Sequence, residues 1–161
     1  MNTKDKEAKL ACIEWLNTSL RLRDSKKQWI FITLTMKQAV RYKNGNYEYL
    51  TEDKANQNAQ WFAHALNKRI YKSRYKRGKA KLKLVDFAEG GNTERRHRHM
   101  LIEIPECSSF GEISYFAEKI WGGSRFGYRY NDYQIANKPE KIISYGLKTG
   151  AEALNLNNLS F

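Results

Sequence analysis

The spacing of apolar residues along the chain predicts an alternation of helices and strands. Apolar residues at intervals of three and four predict amphipathic helices over 4–23, 52–76 and 110–121. Runs rich in β-branched and aromatic residues, or alternating between apolar and polar, predict strands over 29–36, 81–88, 97–104 and 126–135. Pro139 stands where the first turn of a last helix is expected, and Gly150 ends that helix.

The order of these elements predicts the fold class. After the first helix the order is β-α-β-β-α-β-α, which is typical of an α+β domain. Asn44-Gly45-Asn46 marks a turn in the loop after the first strand, and Gly90-Gly91-Asn92 predicts a hairpin between the second and third. We expect one domain over 1–161, with a four-stranded, or at most five-stranded, antiparallel sheet of ferredoxin-like or RNA-recognition-motif-like type. An extra N-terminal helix precedes it, the other helices pack on one sheet face, and the second face stays open.

The charge of the chain indicates a polyanionic partner. It has 29 Lys and Arg against 17 Asp and Glu, a net charge of +12. Such an excess favours nucleic acid, because each phosphate contact releases counterions. Nine cations and no acid, with two tyrosines interleaved, lie in the run from residue 68 to 83. This run supplies our candidate nucleic-acid contacts, Lys68, Arg69, Lys72, Arg74, Lys76, Arg77, Lys79, Lys81 and Lys83.

Hydropathy and cysteine content exclude other classes of protein. The sequence has no long apolar run, and nothing at Met1 resembles a signal peptide, so we expect no membrane partner. Cys12 and Cys107 are too few and too far apart for a disulfide scaffold or a zinc cluster. We expect a soluble protein of a reducing compartment. This would be the cytoplasm of a prokaryotic cell or of the host of a virus or mobile element, or the nucleus if the host is eukaryotic.

Two of the three histidines suggest a metal site. His97 and His99 lie two residues apart on a predicted strand, which points both imidazoles to one face. Alternation along the preceding strand places Glu89 on that same face, across the hairpin, and a slip of one residue would break this agreement. Asp86 faces the helices and is a poorer ligand, whereas Glu94 is the alternative third ligand. Two imidazoles and a carboxylate leave coordination positions open and suit Mg²⁺ or Mn²⁺.

The last predicted helix could supply a nucleophile. Lys141, Tyr145 and Lys148 share one face of this helix, while Ile143 and Leu147 share another that is suited to docking on the core. Tyr145 is therefore the candidate nucleophile. We assign a function to Lys148 as well, which would orient a phosphate or ease loss of the phenol proton, but none to Lys141.

Three segments together resemble the motifs of HUH endonucleases, and specifically of single-tyrosine rolling-circle replication initiators (Rep proteins). The strand 31–35 resembles the first motif of that family, and His97-Arg98-His99 with Glu89 upstream resembles its metal motif. Tyr145-Gly146-Leu147-Lys148 resembles its Tyr-x-x-Lys nucleophile motif. The family usually has a bulky apolar residue where this chain has Arg98. Arg98 is expected to point to the core side at the start of its strand, from which it could reach the rim of the sheet by laying its stem along apolar surface.

The resemblance implies a reaction and its partners. Held by His97, His99 and Glu89, Mg²⁺ or Mn²⁺ would assist site-specific nicking and joining of single-stranded DNA. Tyr145 would form a 5′-phosphotyrosine link and leave a 3′-OH, which initiates rolling-circle replication of a plasmid, phage or related element. The substrate would be single-stranded DNA or an origin hairpin, with Thr33 and Thr35 as further candidate contacts. The sequence has no ATP-binding motif, so a host or linked helicase would act with a DNA polymerase.

Two other functions remain open at this point. A single-strand DNA transposase of the same superfamily would use the same chemistry, although Tyr-x-x-Lys favours the replication initiator. A non-catalytic nucleic-acid-binding module of RNA-recognition-motif type would share the sheet order. Such a module needs aromatic residues at the centre of its first and third strands, on the open face. The third strand instead carries His97, His99 and Leu101 there, which argues against this function.

Overall fold

The helices and strands follow the predicted alternation. A computed structural model describes residues 3–91 and 94–161, so Asn92 of the predicted Gly90-Gly91-Asn92 turn lies outside the described residues. The elements are α1 (Thr3–Leu20), β1 (Trp29–Thr35), β2 (Ala39–Arg41), β3 (Tyr47–Tyr49), α2 (Glu52–Tyr71), α3 (Ser73–Lys76), β4 (Leu84–Glu89), β5 (His97–Glu103), α4 (Phe110–Gly122), β6 (Asp132–Ile135) and α5 (Pro139–Gly146). Two short 3-10 turns follow, at Ala151–Ala153 and Leu156–Asn158.

The main sheet confirms the predicted fold class. Its four strands are antiparallel, in the order β4-β5-β1-β6. With the helices this gives an α+β architecture consistent with a ferredoxin-like fold. Strands β2 and β3 form a separate hairpin around the predicted turn, where Gly45 has a φ of 88° that favours glycine. The hairpin therefore adds no fifth strand to the main sheet.

The first face of the sheet carries the larger core. Helices α2 and α4 pack on alternate residues of the strands, which include Ile30, Ile32, Met100 and Ile102. Thr51 and Ser109 cap these two helices by accepting hydrogen bonds from the backbone N–H groups three residues later. Helix α2 ends at Tyr71, before the predicted residue 76, because Lys72 adopts a φ of 50° and interrupts the helix.

The prediction that the second face stays open is wrong over most of its area. Helices α1 and α5 and the C-terminal segment cover it and form a second core cluster. Leu101, which alternation placed on this face, is fully buried there together with Val85 and Phe87. Burial removes a contiguous apolar surface from water, which is the physical reason that two helices pack on it. The half-buried Glu89 and His97 mark the end of this face that stays accessible.

The last two predicted elements are shorter than the sequence indicated. Strand β6 covers only Asp132–Ile135, because the segment before it forms a loop that packs on the end of β1. In this loop the N–H of Tyr128 donates to the carbonyl of Thr35 over 3.0 Å. Helix α5 ends at Gly146 instead of just before Gly150.

Arg98 points to the core side of β5, as predicted, but it does not reach the rim of the sheet. Its side chain is 2% exposed and lies inside the first face instead of reaching the rim. The guanidinium nitrogen Nη2 lies 3.2 Å from Oδ2 of Asp86, which is 0% exposed, and donates to Oδ1 of Asn56 over 2.7 Å. A buried carboxylate on the neighbouring strand makes pairing more favourable than exposure of the cation alone. Asp86 faces the helices, as predicted, and also accepts a hydrogen bond from Asn155 over 2.8 Å.

No helix among residues 3–91 and 94–161 combines the length and the apolar character that crossing a bilayer requires.

Candidate active site

Strand pairing sets the proposed metal ligands side by side. Glu89 pairs with His97 between β4 and β5, and His99 pairs with Phe87 on one side and with Thr33 of β1 on the other. Paired residues of antiparallel strands point to the same face, so all five side chains share the second face. This confirms the orientation that alternation predicted.

The three ligand atoms converge. Nε2 of His99 lies 2.8 Å from Oε2 of Glu89, and Nε2 of His97 lies 3.4 Å from the same oxygen. One ligand atom from each of the three residues lies within 4.8 Å of the other two, so the group could hold a metal ion. Glu94, the alternative third ligand, is exposed and belongs to no such group in the part of the chain that the structure describes.

The second ring nitrogen of each imidazole, Nδ1, has its own hydrogen-bond partner. Nδ1 of His97 lies 3.0 Å from the carbonyl oxygen of Arg95, which can only accept, so this nitrogen carries a proton and Nε2 has a lone pair in the neutral ring. Nδ1 of His99 lies 3.1 Å from Oγ1 of Thr33. Such outer partners fix the orientation of metal-binding imidazoles. The Nε2 atoms of both imidazoles and a carboxylate oxygen point at one place, an arrangement that fits a shared cation.

Burial and neighbouring groups keep these ligands in the protonation states that bind a cation. Burial and the neighbouring His97 lower the pKa of the His99 imidazole, although its hydrogen bond with Glu89 acts in the other direction. Burial raises the pKa of Glu89, but hydrogen bonds with Lys148 and His99 outweigh burial and hold that pKa below its ordinary value of 4.5. At neutral pH the site therefore contains a neutral His99 and an ionised Glu89, the states that bind metal.

Helix α5 brings the phenol of Tyr145 to this group. The ring centroids of Tyr145 and His99 lie 5.7 Å apart, and the Tyr145 side chain is 48% exposed. Nζ of Lys148 donates to Glu89 and also to the Tyr145 hydroxyl, over 3.2 Å in the second case. The hydrogen bonds with Glu89 and Tyr145 raise the pKa of Lys148, so it stays an ammonium. Ile143 and Leu147 are fully buried beneath the helix, as predicted.

Gly146 has a role that sequence reasoning missed. A Cβ atom added here would lie 2.6 Å from the ring of Phe87, so a larger residue would push α5 away from the sheet. Only glycine lets the helix lie close enough for its neighbour Tyr145 to contact His99. A glycine inside a predicted helix is the signal that could have shown this.

The predicted basic run, residues 68–83, lies at the end of the sheet opposite the metal ligands. Lys83 pairs with Glu103 over 3.5 Å at the end of β5 farthest from His97. The six residues of β4 separate Lys83 from the metal ligands by about 20 Å. Arg69, also in this run, lies with its guanidinium carbon 4.7 Å from the centroid of Phe116. The structure therefore does not bring these candidate contacts to Tyr145.

The rim of the site carries cations and aromatic rings that the sequence did not single out. The guanidinium carbon of Arg95 lies 4.4 Å from the ring centroid of Tyr128, and Arg129 lies 5.0 Å from that of Tyr130. Thr35, a candidate DNA contact, donates its hydroxyl to the carbonyl of Tyr130 over 2.7 Å. The contacts of Arg95 with Tyr128 and of Thr35 with Tyr130 join segments far apart in the chain, so no spacing rule predicts them.

No protein-family model, curated protein sequence or solved structure matches the chain. The functional assignment therefore rests on the geometry of the site formed by Glu89, His97, His99, Tyr145 and Lys148.

Proposed function

We propose that this protein is a metal-dependent endonuclease and strand transferase that nicks single-stranded DNA through a covalent link to Tyr145, as HUH replication initiators do. The observation that carries the proposal is the double hydrogen bond of Lys148. Because its ammonium contacts both Glu89 and the Tyr145 hydroxyl, the nucleophile and the ligand group lie side by side. An exposed tyrosine without a catalytic role would not be expected to share a cation with a group of converging ligands.

We propose Mg²⁺ or Mn²⁺ as the resident ion, held by Glu89, His97 and His99. Three protein ligands leave positions for waters and for substrate oxygen, as these octahedral ions require. When bound, the ion would polarise a non-bridging oxygen of the scissile phosphate. A closed structural zinc site is disfavoured, because it would need a fourth nitrogen or sulfur ligand, and the ligand group formed by the described residues has three members.

The residues of the chain would carry out the bond exchange. The Tyr145 oxygen forms a bond to phosphorus, the bond from phosphorus to the 3′-oxygen breaks, and that oxygen leaves as a 3′-hydroxyl after taking up a proton. Lys148 stays charged, so its role is electrostatic: it stabilises the phenolate while the phenol proton passes to solvent. The phosphotyrosine link keeps the phosphodiester energy, and attack by a 3′-hydroxyl reverses the reaction.

The same proposal covers the biological setting. The free 3′-hydroxyl would prime a DNA polymerase at the origin of a plasmid, phage or related element, with a helicase supplying the unwinding. The protein would act in the cytoplasm of a prokaryotic host, or in the nucleus of a eukaryotic one. The covered second face disfavours the RNA-recognition-motif-like alternative, because the centre of β5 on this face carries Leu101, which is not aromatic and is buried beneath the helices.

One gel tests the proposal. The protein is incubated with Mn²⁺ and labelled single-stranded oligonucleotides tiled across the origin of its element, and an SDS-resistant adduct is sought. Wild type and Tyr130→Phe should form the adduct, whereas Tyr145→Phe should not. Tyr130 is the matched control, because it is also an exposed tyrosine on the rim of the site. Equal labelling of Tyr145→Phe and wild type would remove Tyr145 as the nucleophile.

A further inference from the structure

A groove continues from Tyr145 along the outer strand of the sheet. It has a volume of about 540 Å³ and lies between β6 and helix α5. Phe31 and Ile142 contribute its apolar surface, and Tyr145 lines it as well. The ring of Phe31 stacks on His99, with centroids 5.2 Å apart and planes inclined by 18°. The groove is therefore continuous with the metal-ligand group.

The polar residues of the groove fit a nucleotide. The side-chain amide of Asn137 offers donors and an acceptor, and that of Gln134, whose Nε2 donates one hydrogen bond to Asp132, keeps its oxygen and a second N–H for the edge of a base. Lys138 and Lys141 are exposed at the same groove and suit a phosphate. The residues that line it, all within the described part of the chain, include no carboxylate. A flat apolar surface with amides and ammonium groups favours an aromatic anion.

The size of the groove agrees with this ligand. Pockets for small molecules have volumes of about 300–1,000 Å³, and this groove falls inside that range. Bases of single strands are commonly held by stacking on aromatic rings, and Phe31 offers such a ring. A base inside a duplex is already stacked and paired, so it could not enter.

We propose that this groove binds one unpaired nucleotide of single-stranded DNA beside the phosphate that Tyr145 attacks. This inference rests on the proposed function for the identity of the strand. The base stacks on Phe31 against Ile142, its edge contacts the amides of Gln134 and Asn137, and the adjacent phosphate contacts Lys141. The groove thereby makes the reaction depend on an unpaired base. It gives Lys141 a role that sequence analysis did not assign.

Nuclear magnetic resonance can test binding without metal or cleavage. The isotope-labelled protein is titrated in EDTA with deoxythymidine monophosphate, deoxyguanosine monophosphate, deoxyribose 5-phosphate and inorganic phosphate. Both nucleotides should shift the backbone amides of Phe31, Gln134 and Ile142, and the two ligands without a base should not. Equal shifts with inorganic phosphate, or shifts confined to 68–83, would overturn the inference. Shifts of the same amides on concentrating the protein alone would also overturn it, because a second copy would then occupy the groove.

Matched variants sharpen the test. The double variant Gln134→Ala/Lys141→Ala should weaken deoxythymidine monophosphate binding by about ten-fold, because it loses a base contact and a charge-assisted bond. Gln28→Ala/Lys26→Ala removes the same groups at exposed positions outside the groove and should bind as wild type. Equal binding by both double variants would contradict the inference.

The two proposals fail separately. Nucleotide shifts in the groove without any Tyr145 adduct would leave the groove assignment in place and remove the nicking activity. An adduct that depends on Tyr145, with no nucleotide shifts in the groove, would keep the activity and remove the groove as its nucleotide site.

Discussion

The hydroxyl oxygen of Thr33 lies 3.1 Å from Nδ1 of His99, on the side of the ring away from Glu89. A hydroxyl can either accept or donate, so Thr33 suits two states of this ring. It donates to Nδ1 while Nε2–H bonds Glu89, and it accepts from Nδ1–H when Nε2 binds a cation. The pairing of β1 with β5 places this hydroxyl there.

We expect Thr33→Val to weaken Mn²⁺ binding by about ten-fold, because it removes the outer partner of His99 without changing the volume much. Isothermal titration calorimetry without DNA measures this. Thr35→Val is the control, because the Thr35 hydroxyl donates to the carbonyl of Tyr130 and not to a histidine. Equal affinities of the two variants would show that the contact to His99 does not support a ligand.

Loss of a metal ligand should weaken Mn²⁺ binding more than loss of an outer partner does. His97→Ala and His99→Ala should each weaken Mn²⁺ binding by about 100-fold or more, since loss of an outer partner alone costs 10- to 100-fold. His64→Ala is the control, because His64 lies on α2 and bonds the Tyr75 hydroxyl over 2.9 Å. Should His64→Ala lose as much affinity as the other two, the ion would bind elsewhere.

Loss of the Lys148 ammonium should strengthen metal binding but slow catalysis. Its ammonium bonds Glu89, so it competes with the cation for this carboxylate. Lys148→Met should therefore raise the affinity for Mn²⁺ in calorimetry. The rate of adduct formation should fall by about 100-fold, the usual loss when one electrostatic donor is removed. Lys119→Met, on α4, should change neither quantity, and a parallel fall of both quantities in Lys148→Met would contradict this division of roles.

The stability of the metal-free protein should fall in mildly acidic solution. The pKa of His99 is lowered by burial and by His97 from an ordinary value of 6.5, so the unfolded chain takes up a proton at a higher pH than the folded chain. The free energy of unfolding is then greatest above the ordinary pKa and falls as the pH drops through the folded pKa of His99. The lowered pKa of Glu89 also makes the free energy of unfolding fall as the pH drops, but only below its ordinary pKa of 4.5.

Urea unfolding between about pH 7.5 and pH 5.5 measures this dependence. His99→Gln cannot titrate and should flatten the curve in that window. A curve for His99→Gln that runs parallel to that of wild type would show that other groups cause the loss of stability.

The buried pair of Asp86 and Arg98 should be costly to break. Arg98→Met leaves the Asp86 carboxylate without its cation and should lower the free energy of unfolding by about 3–5 kcal/mol. The double variant Asp86→Leu/Arg98→Met should recover most of this loss, because no unpaired charge remains. Urea unfolding at neutral pH measures both. A single variant as stable as wild type would show that the pair contributes little.

Local patterns in the sequence were enough to predict the four strands and the shared face of Glu89, His97 and His99. Strand alternation has a period of two, and residues joined by a short hairpin can be compared directly. The same reasoning failed for the second face, because the sequence gives no rule for where α1 packs. Alternation placed Leu101 on that face correctly, but whether water or a helix covers it depends on long-range packing.

The sequence by itself determined which residue types are present and which side of each strand they occupy, since both follow from covalent geometry over a few residues. Only the tertiary structure decided that Lys148 bridges Glu89 and Tyr145, that Thr33 supports His99 and that Arg98 is buried against Asp86. It also placed the basic run at the far end of the sheet and the groove at Tyr145. These relationships join segments far apart in the chain, and the close packing of α5 on the strands, which Gly146 permits, sets the distances between them.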